Sequence, residues 1–286
     1  MTSPPVTLDE LRRRIDTVDD RLHDLILERA ALVEAVAAAK KGDGTPTLRP
    51  GREAAILRRL AARHRGRFPR QSLVRLWREI LGGAVAIQGK FAVAVTAPDG
   101  APGLWDLARD HFGSHLSMLP LRSPAEVVSA VGEGRAAVGI VPVPSDDERA
   151  PWWPSLVNVG PNGPRVLARL PFAAGSNARR GKDDAFVIGF GTPDASGDDV
   201  TLLLIETEGP VSRAKLGAAF EKTGPRMNFL AGAAPEPGRA LNLVELDDLV
   251  LPDDARVATA TTQLGGSVKS VRLFGTYPRP LAAEAS

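Results

Sequence analysis

The chain has 286 residues, 43% of them hydrophobic and 24% charged, which is enough for two or three compact domains with ordinary cores. Cysteine is absent, so disulfides, thiolate nucleophiles and cysteine-based zinc sites are excluded, as fits a reducing compartment. The net charge of +2 hides an asymmetry: residues 1–90 hold 18 Lys and Arg against 11 Asp and Glu, an excess of +7, whereas residues 91–286 hold 18 against 23, a balance of −5. A basic helical part with arginines clustered at "HRGRFPR" invites a nucleic-acid reading. That cluster lies in a turn between helical patterns, where it is explained as a solvated connection, and an anionic small molecule is the better partner. The segment "MTSPPVTLDELRRR" lacks the apolar core of a signal peptide and no stretch approaches the length of a membrane span, so a cytoplasmic protein without a membrane partner is expected.

The first element is a helix with one irregularity. Apolar residues recur at Leu8, Leu11, Ile15, Val18, Leu22 and Leu25, in the alternating steps of three and four that a helical seam requires. The next seam position holds Arg29, and the stripe resumes at Leu32 and Val36. An unpaired guanidinium on a buried stripe is costly, so an anion must meet it, either a carboxylate of this protein or a ligand. Eleven residues on, Lys40 returns to nearly the same azimuth. Thr7 and Glu10 form a capping box at the helix start, and "KKGDGTP" ends it, with Gly42 closing and Pro46 preventing continuation. The predicted helix is roughly 50 Å long.

Two further helices are predicted, from Pro50 through "GREAAILRRLAARH" and from Pro69 through "RQSLVRLWREILGGAVAIQGK". Three helices cannot easily cover so long a seam, so a homodimer is expected. Arg12 stands about 42 Å from Lys40 along the helix, too far for one metabolite to touch both within one chain. If Arg12 serves the same ligand as Arg29, it must do so from an antiparallel second subunit. Arg52 and Glu53 open the second helix, and Gln88 closes the third on the face of Trp77, Leu81 and Ala84. Each has a plain structural reading as well: a residue favouring a helix end, a solvated cation, a terminal cap. Together they make a set of cations, one carboxylate and one amide, with no nucleophile and no metal cluster.

After Lys90 the pattern alternates between strand and helix. "FAVAV" reads as a strand, "GLWDLARDHFG" and "SPAEVVSAVGEG" as helices, and "AAVGIVPV" as a strand. The Pro-, Gly- and Asp-rich stretch 144–199 yields only "RVLARL" and "DAFVIGF" as strand candidates. Beyond it come "VTLLLIETEG" as strand, "VSRAKLGAAFEKTG" as helix, "ALNLVELDDLVL" as strand, then "VATATTQL" and "SVKSVRLFGTYP", with the last nine residues expected to fray. There is no internal repeat. The four histidines lack companions at metal-ligand spacing, and "GEGRAA" follows a helix and precedes a strand, the reverse of a dinucleotide fingerprint. No metal and no cofactor are expected.

Residues 8–88, read as "LDELRRRIDTVDDRLHDLILERAALVEAVAAAK", "RPGREAAILRRL" and "REILGGAVAIQ", resemble the all-helical, type II class of chorismate mutases. The resemblance implies an intertwined dimer that converts chorismate to prephenate on the way to phenylalanine and tyrosine. It further implies that Arg12 reaches a substrate carboxylate from the partner subunit while Arg29 and Arg52 engage carboxylates within one subunit. Lys40 and Gln88 would then contact the ether oxygen, and Glu53 the ring hydroxyl. The sequence departs from that family at Ala84, where a serine is frequent, and at Arg49, where an aspartate is common. Gly82 and Gly83 also weaken a helix interior by roughly 1 kcal/mol each.

The remainder resembles, more distantly, a prephenate dehydratase with its attached ACT domain, through "AVGEGRAAVGIVPV" and "VKSVRLFGTYPRP". The position matching that family's Glu-Asn-Ser segment reads "PVPSD", and its Thr-Arg-Phe motif is missing around "KDDAFVIG". The expected architecture is therefore multidomain: an all-α three-helix chorismate mutase domain over 1–90, a degenerate dehydratase-like α/β region over 91–197, and an ACT-like α+β domain over 198–286, noncatalytic and open to an aromatic amino acid effector. Alternative readings are a bifunctional mutase-dehydratase, an isochorismate-pyruvate lyase-like enzyme, and a noncatalytic helical dimerisation module.

Overall fold

The protein, seen in a computed structural model, is described over residues 6–40, 46–98, 102–146, 151–158, 160, 163–173 and 184–282. Helix α1 (Leu8–Ala39) opens as its capping residues dictate: Thr7 is extended and its Oγ1 accepts the Glu10 N–H at 3.2 Å. The closure expected at Gly42 lies outside the described residues. Not one α1 residue is buried, and Leu8, Leu11, Ile15, Val18, Leu22, Leu25, Leu32 and Val36 all stand exposed. Helix α2 (Pro50–Arg63) starts on proline and α3 (Arg70–Ile87) follows Pro69, the positions where a missing N–H costs least. Ala54, Leu57, Val74 and Leu81 form their shared core, and Phe172, from much later in the chain, completes it.

The α/β region runs β1 (Ala92–Thr96), α4 (Gly103–Phe112), β2 (Ser117–Leu121), α5 (Pro124–Gly132), β3 (Val138–Pro142), α6 (Trp153–Asn158), β4 (Arg165–Leu170) and β5 (Ala185–Gly189). Strand β1 pairs in parallel with β2 and β3, and β5 runs antiparallel between β3 and β4. Continuous apolar strands such as "FVI" are explained by coverage on both faces. Val95, Ile140 and Val187 meet α4 through Leu107 and Phe112, while Val141, Phe186 and Ile188 face α5 and α6 through Val131 and Trp153.

The last region runs β6 (Asp199–Glu208), α7 (Arg213–Glu221), β7 (Met227–Glu236), β8 (Arg239–Leu246), α8 (Ala255–Leu264) and β9 (Val268–Pro278), the βαββαβ order of ferredoxin-like folds. Both helices pack on one face, over Leu203, Ile205 and Val244. Its strands continue the same nine-stranded sheet, ordered β2-β1-β3-β5-β4-β9-β6-β8-β7. The boundary expected between residues 197 and 198 falls just ahead of β6, and strands on either side of it share that sheet. In the sheet the junction is a single parallel pair, Val166–Gly275, where a Cβ on Gly275 would lie 2.4 Å from the Val166 carbonyl oxygen, and one apolar core runs across it, with Trp153 against Phe274 and Phe186 against Tyr277. Arg169 of β4 reinforces it, donating to Glu245 Oε2 at 3.3 Å and to Tyr277 Oη at 3.4 Å.

Three elements go beyond the sequence expectations: β2, α6 and β7. The strand expected over 240–251 ends at Leu246. The segment expected to fray is ordered at its start, since Arg279 N–H bonds the Asp198 carbonyl at 2.9 Å and Leu281 N–H bonds the Phe172 carbonyl at 2.6 Å.

Gly82 has a packing reason for interrupting α3. A Cβ there would sit 2.2 Å from the Phe112 carbonyl oxygen, so the bare backbone lets the end of α4 close on α3. Overpacking outweighs the gain in helix propensity, and Gly82→Ala is expected to destabilise the chain by about 1–2 kcal/mol. Chemical denaturation of the two proteins checks the sign: a stabilised variant would contradict the close approach.

Candidate active site

Helices α1, α2 and α3 and the segment before α2 border an open cavity of about 260 Å³, at the small end of ligand pockets. Its apolar wall is Leu32, Val33, Val36, Ile56, Leu81, Ala84 and Val85. Its polar wall is Arg29, Lys40, Thr47, Arg49, Arg52, Glu53 and Gln88. Arg29, Lys40, Arg52, Glu53, Ala84 and Gln88, six of the seven residues selected from the sequence, are therefore brought together. The seventh, Arg12, stands apart on the exposed part of α1, paired with Asp9 at 3.4 Å.

Periodicity carries each group there. Arg29 occupies the seam slot facing α3 and stacks its guanidinium 5.9 Å from the Trp77 ring centroid. Half-burial first, and the neighbouring Arg52 second, lower its pKa from the usual arginine value, while Glu53 opposes them. Like charges are thus crowded in a partly dry space. Lys40 ends α1 with its Nζ donating to the Pro46 carbonyl at 3.3 Å, and Gln88 ends α3 with Nε2 donating to the Ala84 carbonyl at 2.9 Å. Both donors are held by backbone, the geometry of preorganised groups. Ala84 lines the cavity without a side-chain hydroxyl.

Glu53 is more encumbered than its expected contact with a ring hydroxyl implies. Its Oε2 accepts from Arg78 Nη1 at 2.9 Å, and the two side chains are only 14% and 6% exposed. Burial raises the Glu53 pKa, and the Arg78 guanidinium pulls it back. Arg78 also lies 4.9 Å over the Phe172 ring, with its Nη1 3.5 Å from His111 Nε2. Sequence reasoning missed Arg78, although its signal was the one that exposed Arg29: Val74, Leu81 and Val85 mark the buried stripe of α3, and position 78 breaks it. Asp194, which bonds Arg49 Nη2 at 2.6 Å, gave no such signal.

The arrangement suits a small anion with an apolar body. Several cations converge on one cavity, and among the described residues Glu53 is the one carboxylate of its lining and no Ser or Cys nucleophile lies in it. Among the described residues no group of three or more His, Cys, Asp and Glu could hold a metal, and no helix is long and apolar enough to cross a membrane.

The buried cluster behind Glu53 sets a pH dependence. Burial, and then the Arg78 charge, push the His111 imidazole well below its ordinary value of 6.5. Below that pH the unfolded chain binds a proton that the folded chain refuses, so this group weakens folding as pH falls; the raised Glu53 acts in the opposite sense as it takes up its own proton. Relative to His111→Gln, the chain is expected to lose up to about 1.4 kcal/mol per pH unit below 6.5. Denaturation at pH 7, 6 and 5 checks this, and a pH-independent difference between the two proteins contradicts it.

Comparison with known proteins agrees with the helical part first. Residues 11–89 match the family described as chorismate mutase type II, and form a region of that family. The bifunctional chorismate mutase/prephenate dehydratase of Pseudomonas aeruginosa is 33% identical over 148 residues, covering 50% of this chain and 40% of that protein. The corresponding protein of Aquifex aeolicus is 31% identical over 140 residues, 48% of this chain and 38% of its own. The chain thus spans well under two thirds of the length of the curated relatives it matches. Among solved structures, prephenate dehydratase from Arthrobacter aurescens, in complex with L-Phe, is 13% identical with a TM-score of 0.47, over 67% of this chain and 92% of that one.

Proposed function

We propose that this chain is a chorismate mutase, an isomerase that rearranges chorismate to prephenate. The observation that carries the reading is the shared cavity of Arg29, Lys40, Arg52, Glu53 and Gln88 inside a segment that matches the type II family. The reaction is a [3,3] rearrangement in which an ether carbon–oxygen bond breaks as a carbon–carbon bond forms. It requires no proton transfer and no covalent intermediate, so a site built of cations and an amide suffices.

Two tasks remain for the protein. Arginine forks hold the two carboxylates and fold the side chain over the ring, the positional part of catalysis. In this reading Arg29 and Arg52 do this within one subunit. As the carbon–oxygen bond breaks, negative charge gathers on the ether oxygen, where Lys40 and Gln88 donate. Glu53, anchored by Arg78, faces the ring hydroxyl.

The protein acts as a homodimer in this proposal, and the exposed seam of α1 supports it. Among the described residues, Leu8, Leu11, Ile15, Val18, Leu22 and Leu25 stand exposed along this 32-residue helix, and Leu32 and Val36 continue the stripe into the cavity wall. A second α1 lying antiparallel would cover them and carry Arg12 to the partner's cavity, which Arg12 cannot reach in its own chain. The βαββαβ region is the ACT-like domain of this account, with an aromatic amino acid as its effector. The α/β region before it contributes no dehydratase chemistry, since residues 142–146 read Pro-Val-Pro-Ser-Asp.

The direct assay follows chorismate loss with prephenate and phenylpyruvate quantified separately. Prephenate alone is expected, and phenylpyruvate would restore the bifunctional alternative. Lys40→Ala is expected to raise the barrier by about 3–4 kcal/mol while the dimer stays folded. Near-normal turnover by that variant would remove Lys40 from the mechanism.

A further inference from the structure

We infer that the loop following β5 is a working part of the mutase site, with Asp194 as the positioning residue that fixes the start of α2 and takes up the charge of Arg49. The inference rests on the mutase reading above and extends it to a residue about 140 positions away from the helices it serves. Helix α2 presents Arg52 and Glu53 from its first turn, so whatever seats that turn seats two of the site's groups. The residue at its N-cap is Arg49, whose side chain makes no capping bond. Asp194 supplies what is missing, since its Oδ2 accepts the Arg52 backbone N–H at 3.2 Å. The other oxygen, Oδ1, accepts Arg49 Nε at 3.2 Å and Nη2 at 2.6 Å.

The fit is close enough to exclude a side chain. A Cβ on Gly51 would lie 2.0 Å from the Asp194 carbonyl oxygen, so the loop rests directly on helix backbone. The loop is itself held from α2: Arg58 donates to Ser196 Oγ, to the Asp198 carbonyl and to the Arg279 carbonyl, each at 2.8 Å. Ser196 Oγ in turn bonds Asp199 Oδ1 at 2.6 Å, at the start of β6. The anchor thus runs from the first turns of α2 into the central sheet. Burial alone would raise the Asp194 carboxyl, yet the bonds from Arg49 and the α2 backbone hold it below the ordinary aspartate value, ionised at neutral pH.

The charge matters as much as the seat. Arg29, Lys40, Arg49 and Arg52 all line the cavity, and with Arg12 from the partner four cations already serve the carboxylate pair and the ether oxygen, which leaves Arg49 as a fifth. Pairing with Asp194 withdraws Arg49 from the guest. An unpaired Arg49 would compete for a carboxylate and hold it out of register, and a displacement of about 1 Å can cost on the order of a hundredfold in rate.

The test uses the full chain. Turnover of chorismate by the wild type comes first; its absence counts against the mutase reading, while backbone amide exchange at residues 51–55 still decides the seating. With kcat and KM measured separately, Asp194→Ala is expected to lower kcat at least tenfold, with the smaller change in KM, and to speed that exchange. Asp194→Asn keeps the shape and an acceptor for the Arg52 N–H but leaves Arg49 unpaired, and is expected to fall in between. Adding Arg49→Ala to Asp194→Asn should recover part of the loss, a rescue that a merely structural role would not produce. Asp254→Ala, which uncaps the distant α8, should leave both readouts unchanged. Kinetics within twofold of wild type and unaltered exchange in Asp194→Ala would overturn the inference. An equal loss in Asp254→Ala, or no recovery on removing Arg49, would overturn it as well.

Discussion

Cations do not gather in a half-dry cavity without a counter-charge, and the helical region is organised around that constraint. Arg29, Arg52 and Lys40 share one small space with one buried carboxylate, and that carboxylate already answers to Arg78. The surplus positive charge leaves the cavity suited to an anionic guest. Its cost is limited by three arrangements: Trp77 receives the face of Arg29, Glu53 is shared between the cavity and Arg78, and Asp194 draws Arg49 aside. Each lowers the repulsion without occupying the space where a guest would bind.

The second consequence concerns the region after residue 90. Phe172 fills the α2–α3 core, His111 backs Arg78, and the loop at Asp194 caps α2. These contacts come from three separate stretches of the α/β region, all converging on the two helices that carry half of the site. The region after residue 90 thus serves the two helices as a scaffold. The nine-stranded sheet is the base on which α2 and α3 rest, and α1 is the helix that keeps all of its residues out of the core.

What could be read in the sequence was what is local. The capping box at Thr7, the proline starts of α2 and α3, and the break at Arg29 depend on residues within a turn or two of one another, and periodicity reveals them. Strands β2 and β7 lie at the two edges of the sheet, where β2 carries an exposed Pro120 and β7 is rich in Gly and Ala, so neither shows the β-branched run that marks a central strand. Helix α6 has six residues, too few for a period to register. Asp194 was illegible for a different reason: an aspartate in a Pro- and Gly-rich loop looks like any turn residue until the chain brings it to a helix that begins about 140 residues earlier.

The claim on which the account depends is that each site draws on two chains, and mixing two defective ones tests it most directly. Arg12→Ala and Lys40→Ala are combined after reversible unfolding, and chorismate turnover is followed. In the mixed dimer one site lacks both groups and the other is intact, so random pairing of equal amounts should restore about a quarter of the wild-type activity, as an isologous twofold assembly requires. Activity no greater than the average of the two separate variants would mean that the site is built within one chain, and the intertwined arrangement would be wrong.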